Sequence, residues 1–267
     1  MRSFEARKLN LSVVRGGSER CILKDVSFCM QSGKITAVWG PNGSGKTSLL
    51  EVLFSGSEGF QNGNGHETFE VSGEIFLDGK RIDGIPGYKR AKWMAKVSQD
   101  VMDLYSPSLT LRENLATLFL NAGHHKKGLF QRAVRNPSFK EALNGALDHS
   151  VFPLEKRLDE FASDFSGGEA ESFSILAATL NNPKVLMLDE HTKKLDLARK
   201  AFIERLTVEY IKRKEIFGLW VTHDPLQITR FADGVIWLKE GRIVERTNLE
   251  RPIDEGALLN RLIQFQE

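Results

Sequence analysis

The chain has 267 residues, 37 of them Lys or Arg and 35 Asp or Glu, which leaves a formal charge of +2. That length holds one large α/β domain, or a core with an inserted subdomain, and buries enough apolar surface to need no disulfide staples. So even a charge balance gives no argument for nucleic acid or any other polyanion as a partner.

Met1 to Val14 carries scattered charges and lacks the apolar core of about 7–15 residues that a signal peptide requires, so no export is implied. Residues Phe4 to Phe28 read as short β segments broken by the turn Gly16-Gly17-Ser18. Cys21 and Cys29 fall within them, eight apart, with no second pair and no accompanying histidines. That pattern fits neither a zinc site nor a disulfide framework, and the two read as small reduced hydrophobes. Gln31 to Lys34 leads into an apolar strand, Ile35 to Trp39, and from Thr47 the positions Leu49, Leu50, Leu53 and Phe54 recur at helical spacing. Ser55 to His66 reads as a surface loop, and Glu74 to Leu77 with Asp78-Gly79 as a strand and turn.

Between Tyr88 and Phe165 the pattern is mostly helical. Thr110 and Glu113 make a capping box ahead of Leu111, Leu115, Leu118 and Phe119 on one face, the mark of an inserted helical subdomain. Val185 to Leu188 and Phe217 to Val221 are continuous apolar runs, as parallel strands buried on both faces should be. Asp196 to Lys214 reads as the helix between them, and the order argues for a doubly wound sheet. In the charged tail, Leu249 to Glu267, a stripe of Leu258, Leu259, Leu262 and Ile263 is expected to pack onto its own domain. No uninterrupted apolar run approaches the roughly 18 residues that span a bilayer, so membrane association is expected to pass through a partner.

Gly40-Pro41-Asn42-Gly43-Ser44-Gly45-Lys46-Thr47, continued by Ser48, matches the phosphate-binding loop in full, and it lies after a strand and before a helix as that loop must. Its glycines let backbone N–H groups turn inward around phosphates. The helix N-terminus adds partial positive charge, Lys46 adds a full one, and Thr47 offers a hydroxyl to Mg²⁺. Asp189-Glu190 puts two carboxylates at the mouth of a buried strand, where such sheets bind ligands. Asp189 is expected to hold Mg²⁺ through water, and Glu190 to polarise the attacking water. Phe165-Ser166-Gly167-Gly168-Glu169 precedes a helix with Phe173, Leu176, Ala177 and Leu180 on one face. It reads either as an ordinary turn and cap or as a second anion site, one that would serve a nucleotide held by another copy of the fold. His223 reads equally as a γ-phosphate contact or as a loop histidine.

These motifs, in this order and over nearly the whole chain, resemble the nucleotide-binding subunit of ATP-binding-cassette (ABC) proteins. The resemblance implies a P-loop NTPase (RecA-like) α/β core with an N-terminal antiparallel β subdomain and an inserted helical signature subdomain. The core and β subdomain would cover 1–90 and 185–245, the helical subdomain 91–184, and a helical tail 246–267. It implies ATP and Mg²⁺ as ligands. Gln99 matches the Q-loop glutamine that touches Mg²⁺ and relays nucleotide state to a membrane partner. Ser166 to Glu169 match the signature that closes on the γ-phosphate of the opposite subunit, Leu195-Asp196 the D-loop at the dimer seam, and His223 the switch histidine.

Several positions depart from the family pattern. The signature reads Phe-Ser-Gly-Gly-Glu-Ala where a Leu start and a Gln at the fifth position are commoner, which bears on a trans contact from Glu169. Leu11-Ser12-Val13-Val14 stands where an aromatic usually stacks on adenine. Lys193-Lys194 occupies positions that are usually small. A finer resemblance, in Pro86 to Lys92 running to Gln99 and in Asp189-Glu190-His191-Thr192, is to ATPase subunits of bacterial importers for tryptophan and related amino acids. It implies a second copy of the ATPase, an integral membrane permease, an extracytoplasmic binding protein, and a cytoplasmic place on the inner face of the membrane. Two other readings are a soluble cassette ATPase serving iron–sulfur assembly, whose members also carry Phe-Ser-Gly-Gly-Glu, and a nucleotide-binding regulator with little turnover.

Overall fold

The computed structural model describes residues 2–60, 67–98, 105–121, 134–147, 156–165, 167–193, 195–250 and 253–266. Strands β1 (Ser3–Arg15) and β2 (Ser18–Gln31) form a hairpin whose turn places Gly16 and Gly17 at φ of 54° and 82°, a region that favours glycine. After β3 (Ile35–Trp39) and α1 (Lys46–Ser55) comes a 3₁₀ turn, Gly56–Phe60, so the segment read as loop from Ser55 is helical as far as Phe60. Strand β4 (Glu67–Leu77) is longer than Glu74–Leu77; its outer half pairs with β1 from Val14↔Thr68 to Asn10↔Ser72. With β5 (Lys80–Arg81) these strands make an antiparallel sheet in the order β2-β1-β4-β5.

The second sheet runs β10-β9-β3-β8-β7-β6, from β6 (Met94–Val97), β7 (Val185–Asp189), β8 (Phe217–Val221), β9 (Gly234–Lys239) and β10 (Arg242–Asn248). It is parallel except for β10, which pairs antiparallel with β9. Every residue of β7 and β8 is buried, as their unbroken apolar sequences require. Successive side chains of β7 serve opposite faces. Val185 and Met187 join the core under α1 and the first sheet, while Leu186 and Leu188 pack with Trp220 and Ile211 on the other side.

Short helix α2 (Gly87–Arg90) precedes β6. The helices α3 (Leu111–Asn121), α4 (Pro137–Leu147) and α5 (Gly167–Thr179) share a separate core built on Leu111, Leu115, Phe119, Phe139, Phe173 and Leu176. The capping box forms as expected: Thr110 N–H donates to Glu113 Oε2 at 2.9 Å, and Glu113 N–H to Thr110 Oγ1 at 3.3 Å. Helix α6 (Leu197–Arg213) links β7 to β8, and α7 (Pro225–Phe231) links β8 to β9. The last helix, α8 (Glu255–Gln266), buries Leu258 and Leu262 against Trp39 and Trp237, whereas Ile263 stays 54% exposed. Trp39 Nε1 donates to Leu262 O at 2.8 Å and ties the tail to the central strand.

Candidate active site

The loop Gly40–Gly45 leaves the carboxyl end of β3, and each constraint on it is visible. A Cβ on Gly40 would lie 2.0 Å from Leu238 O, so no larger residue fits beneath the loop. Gly45 turns the chain into α1 at φ 102°, a conformation that L side chains rarely adopt. Asn42, Gly43 and Thr47 are exposed, Pro41 and Ser48 half-buried. Lys46 is folded back, its Nζ donating to Gly40 O at 2.8 Å and to Pro41 O at 2.9 Å. Burial pushes its pKa down, with Glu190 and Asp189 pulling it back up. Ser44 Oγ is buried with no hydrogen-bond partner, an orphaned polar atom within the loop. A phosphate oxygen is the acceptor such a cradle lacks.

Asp189 ends β7 beside this loop. Burial raises its pKa, and the Thr47 hydroxyl bonded to it draws it down again. Thr47 and Asp189 thus bring two oxygen donors together next to a phosphate cradle. That set fits Mg²⁺, which takes one or two protein oxygens and leaves its other positions to phosphate and water. Among the described residues no cluster of three or more His, Cys, Asp or Glu offers a site built wholly from protein side chains.

Glu190 adopts φ 48°, uncommon for a residue with a side chain, and is held there by Glu190 N–H donating to Val221 O at 3.0 Å. Among the described residues two basic side chains lie within ion-pair reach of its carboxylate. His223 Nε2 lies 3.0 Å from Oε1, and Lys193 Nζ lies 2.6 Å from Oε2, an ion pair whose angle is wrong for a hydrogen bond. His223, from the loop after β8, has its pKa pushed down by burial and by Lys46, against the pull of Glu190. Behind it lies a buried polar network that the motifs do not announce. Gln227 Nε2 donates to Glu204 Oε1 at 2.5 Å and to Thr192 Oγ1 at 2.9 Å, Thr222 bonds Gln227, and Lys200 pairs with Asp224. The only local signal for it is that Thr222 and Asp224 flank His223 in sequence.

Residues 23–193 match the family described as ABC transporter. The chain belongs to that family. It is an ATP-binding protein and an ATPase. It is 32% identical over 228 residues to the tyrosine transport ATP-binding protein of Clostridioides difficile strain R20291, covering 85% of this chain and 84% of that one. It is 30% identical over 230 residues to the phosphate import ATP-binding protein PstB of Aeropyrum pernix, covering 85% of each. A dimeric ATP-binding cassette in a post-hydrolysis state, bound to ADP and Pi, shares the fold with a TM-score of 0.69 at 22% identity, over 92% of this chain and 99% of that one.

The other ABC positions divide. Gln99, Ser166 and Lys194 lie outside the described residues. Helix α5 begins at Gly167, followed by Gly168. Glu169 pairs with Arg157 of the same chain, and Arg157 also lies over the Phe165 ring at 5.3 Å. Asp196 caps α6, accepting from Ala198 N at 3.1 Å and Arg199 N at 3.0 Å. Leu11 is fully buried in the core, so of the four residues at the adenine position only Val13 and Val14 are half-buried residues with a hydrophobic side chain to offer a base. His191 is buried, both ring nitrogens lack hydrogen-bond partners, and it packs on Trp220 with centroids 4.9 Å apart. Among the described residues no helix is long and apolar enough to cross a membrane.

Proposed function

We propose that this ATPase powers an ABC importer of a small solute, in the first place an amino acid, as two copies bound to a permease on the inner face of the membrane and served by an extracytoplasmic binding protein. The observation that carries the reading is the Glu190 carboxylate beside the loop of Lys46, in contact with the His223 ring. The relatives named for tyrosine transport and phosphate import support import of a small solute over iron–sulfur assembly or a silent regulator.

In this mechanism Gly40 to Ser48 cradle the phosphates, Lys46 turns from its carbonyl partners to the β- and γ-phosphates, and Ser44 Oγ gains an acceptor. Thr47, Asp189 and Gln99 would hold Mg²⁺, which supplies charge neutralisation at the phosphates when bound. Glu190 accepts a proton from the attacking water, whose oxygen bonds to the γ-phosphorus as the bond to the bridging oxygen breaks. His223 Nε2–H donates to the γ-phosphate. Ser166, Gly167 and Gly168 of a second copy meet the same phosphate, the two glycines opening α5 and bringing its helix N-terminus, and Asp196 lies at the seam. Glu169 comes to that contact already paired with Arg157 of its own chain.

A cavity of about 410 Å³ lies between α1 and the helical layer, lined by Phe54, Tyr88, Ala91, Met94, Leu118 and Ser98, the residue before Gln99. Tyr88 is 57% exposed at its mouth. This apolar groove, lined as far along the chain as Ser98, is the place we assign to the permease. The test is phosphate release by the ATPase alone and with its permease in lipid vesicles. Lys46→Ala should lose ATP binding about 100-fold or more, and Tyr88→Glu should keep basal turnover while losing stimulation by the permease. Release at background in both settings would refute the reading.

A further inference from the structure

The carboxylate of Glu190 has a basic side chain within ion-pair reach of each oxygen, and the two have different fates in the mechanism proposed above. His223 contacts Oε1 at 3.0 Å and is the group that must turn to the γ-phosphate. Once it does, Oε1 is free to accept from water, and among the described residues the ion-pair partner that stays is Lys193 at 2.6 Å from Oε2. The backbone delivers Lys193 to that place. Lys193 N–H donates to Glu190 O at 3.0 Å, closing a tight turn, and Glu190 itself sits at φ 48°. Both side chains line one cavity of about 320 Å³ with Thr192, Lys200, Thr222 and His223. Glu190's side chain is 12% exposed and that of Lys193 57%, so the ammonium reaches in from solvent over a carboxylate that solvent hardly touches.

We infer that Lys193 is a positioning residue for hydrolysis: its ammonium anchors Glu190 through Oε2 so that Oε1 faces the attacking water when His223 leaves for the nucleotide. The inference rests on the reading of Glu190 as the general base. A carboxylate on a free side chain would spend part of its time rotated away from the water, and a 1 Å misplacement of a reacting group is enough to cost much of its rate. Because the ammonium is half exposed, the anchor is screened, and its loss is expected to cost about tenfold rather than thousands. The anchor acts on turnover and not on nucleotide binding, since Lys193 contributes nothing to the phosphate loop.

The experiment is steady-state phosphate release by the full chain with variants at Lys193, alongside Glu190→Gln. Lys193→Ala should lower kcat about tenfold with KM for ATP within twofold of wild type, and Lys193→Met, which keeps length without charge, should do the same. Lys193→Arg should keep more than half of kcat. In a Glu190→Gln background, measured as single-turnover release over hours, adding Lys193→Ala should change nothing, because the anchor then has no carboxylate to hold. A loss that persists in that background would show a merely structural role and overturn the inference. So would wild-type kcat in Lys193→Ala, or equal losses in the Arg and Met variants. Wild-type turnover by Glu190→Gln would remove the base assignment itself and the inference with it, whereas an inactive Glu190→Gln beside a fully active Lys193→Ala would remove the inference alone.

Discussion

His223 Nε2 lies 3.0 Å from Glu190 Oε1, within ion-pair reach of the carboxylate. The place of the proton is read on the other side of the ring, where an amide N–H of Gln266 can only donate and Nδ1 must therefore accept. Burial and Lys46 hold the ring's pKa below its ordinary value, so at pH 7.5 it is neutral and Nδ1 keeps a lone pair. Gln266 Nε2, at 3.5 Å from Nδ1, is the donor on that side, brought there by α8. Long-range proton–nitrogen spectra of histidine-labelled protein at pH 7.5 should therefore show His223 as the Nε2–H tautomer, and Gln266→Glu should shift it toward the charged ring. A wild-type ring protonated at Nδ1 alone would contradict this.

The same contact sets the outcome of removing the ring. His223→Ala deletes a donor to the developing phosphate charge and leaves the phosphate loop intact. It is expected to lower kcat about 100-fold and to leave KM for ATP nearly unchanged, as steady-state kinetics would show.

His191 predicts a pH dependence of stability. Its folded pKa is pushed down to about 3 by burial, with Lys200 adding to the effect, against an ordinary 6.5. Above pH 6.5 the ring is neutral folded or unfolded. As pH falls below that, the unfolded chain takes up a proton that the folded chain refuses until about pH 3, so stability is lost across that window. His191→Leu removes the group along with two unpartnered nitrogens. Urea denaturation at pH 7.5 and pH 5 should show the wild type losing about 2 kcal/mol more than the variant between the two. Parallel losses would exclude His191 as the titrating group.

Arg90 predicts a structural cost far from the chemistry. Its guanidinium, almost wholly buried, donates to Asp83 O at 2.5 Å, Ile85 O at 2.7 Å, Leu53 O at 2.9 Å and Val52 O at 3.3 Å. It thus satisfies carbonyls at the end of α1 and fastens them to the turn before α2. Arg90→Ala should lower unfolding free energy by about 3 kcal/mol in urea denaturation. Arg90→Lys should recover only part of that, because one ammonium cannot copy the fork.

What the sequence made legible was local. The phosphate loop, the box of Thr110 and Glu113, and the strands Ile35–Trp39, Val185–Asp189 and Phe217–Val221 each declare themselves within about ten residues, because one turn chemistry or one unbroken apolar run decides them. The outer half of β4 hides in Glu67-Thr-Phe-Glu70, a polar stretch whose strand form depends on its partner β1. Strand β6 is four residues inside a helical stretch and is strand because it completes the sheet beside β7. Glu204 looks like any charge on α6 until folding brings Gln227 and Thr192 to it. The pairing of Lys193 with Glu190 depends on the positive φ of Glu190, which no residue pattern announces.

The central claim is that Glu190 turns over ATP held at the loop of Lys46. The direct measurement is phosphate release by wild type and by Glu190→Gln at saturating ATP and magnesium, with light scattering on the same samples. The account predicts turnover by wild type, and for Glu190→Gln a bound nucleotide, an ATP-dependent dimer and almost no release. Release by Glu190→Gln at the wild-type rate, or ATP bound to a variant that stays monomeric, would contradict it.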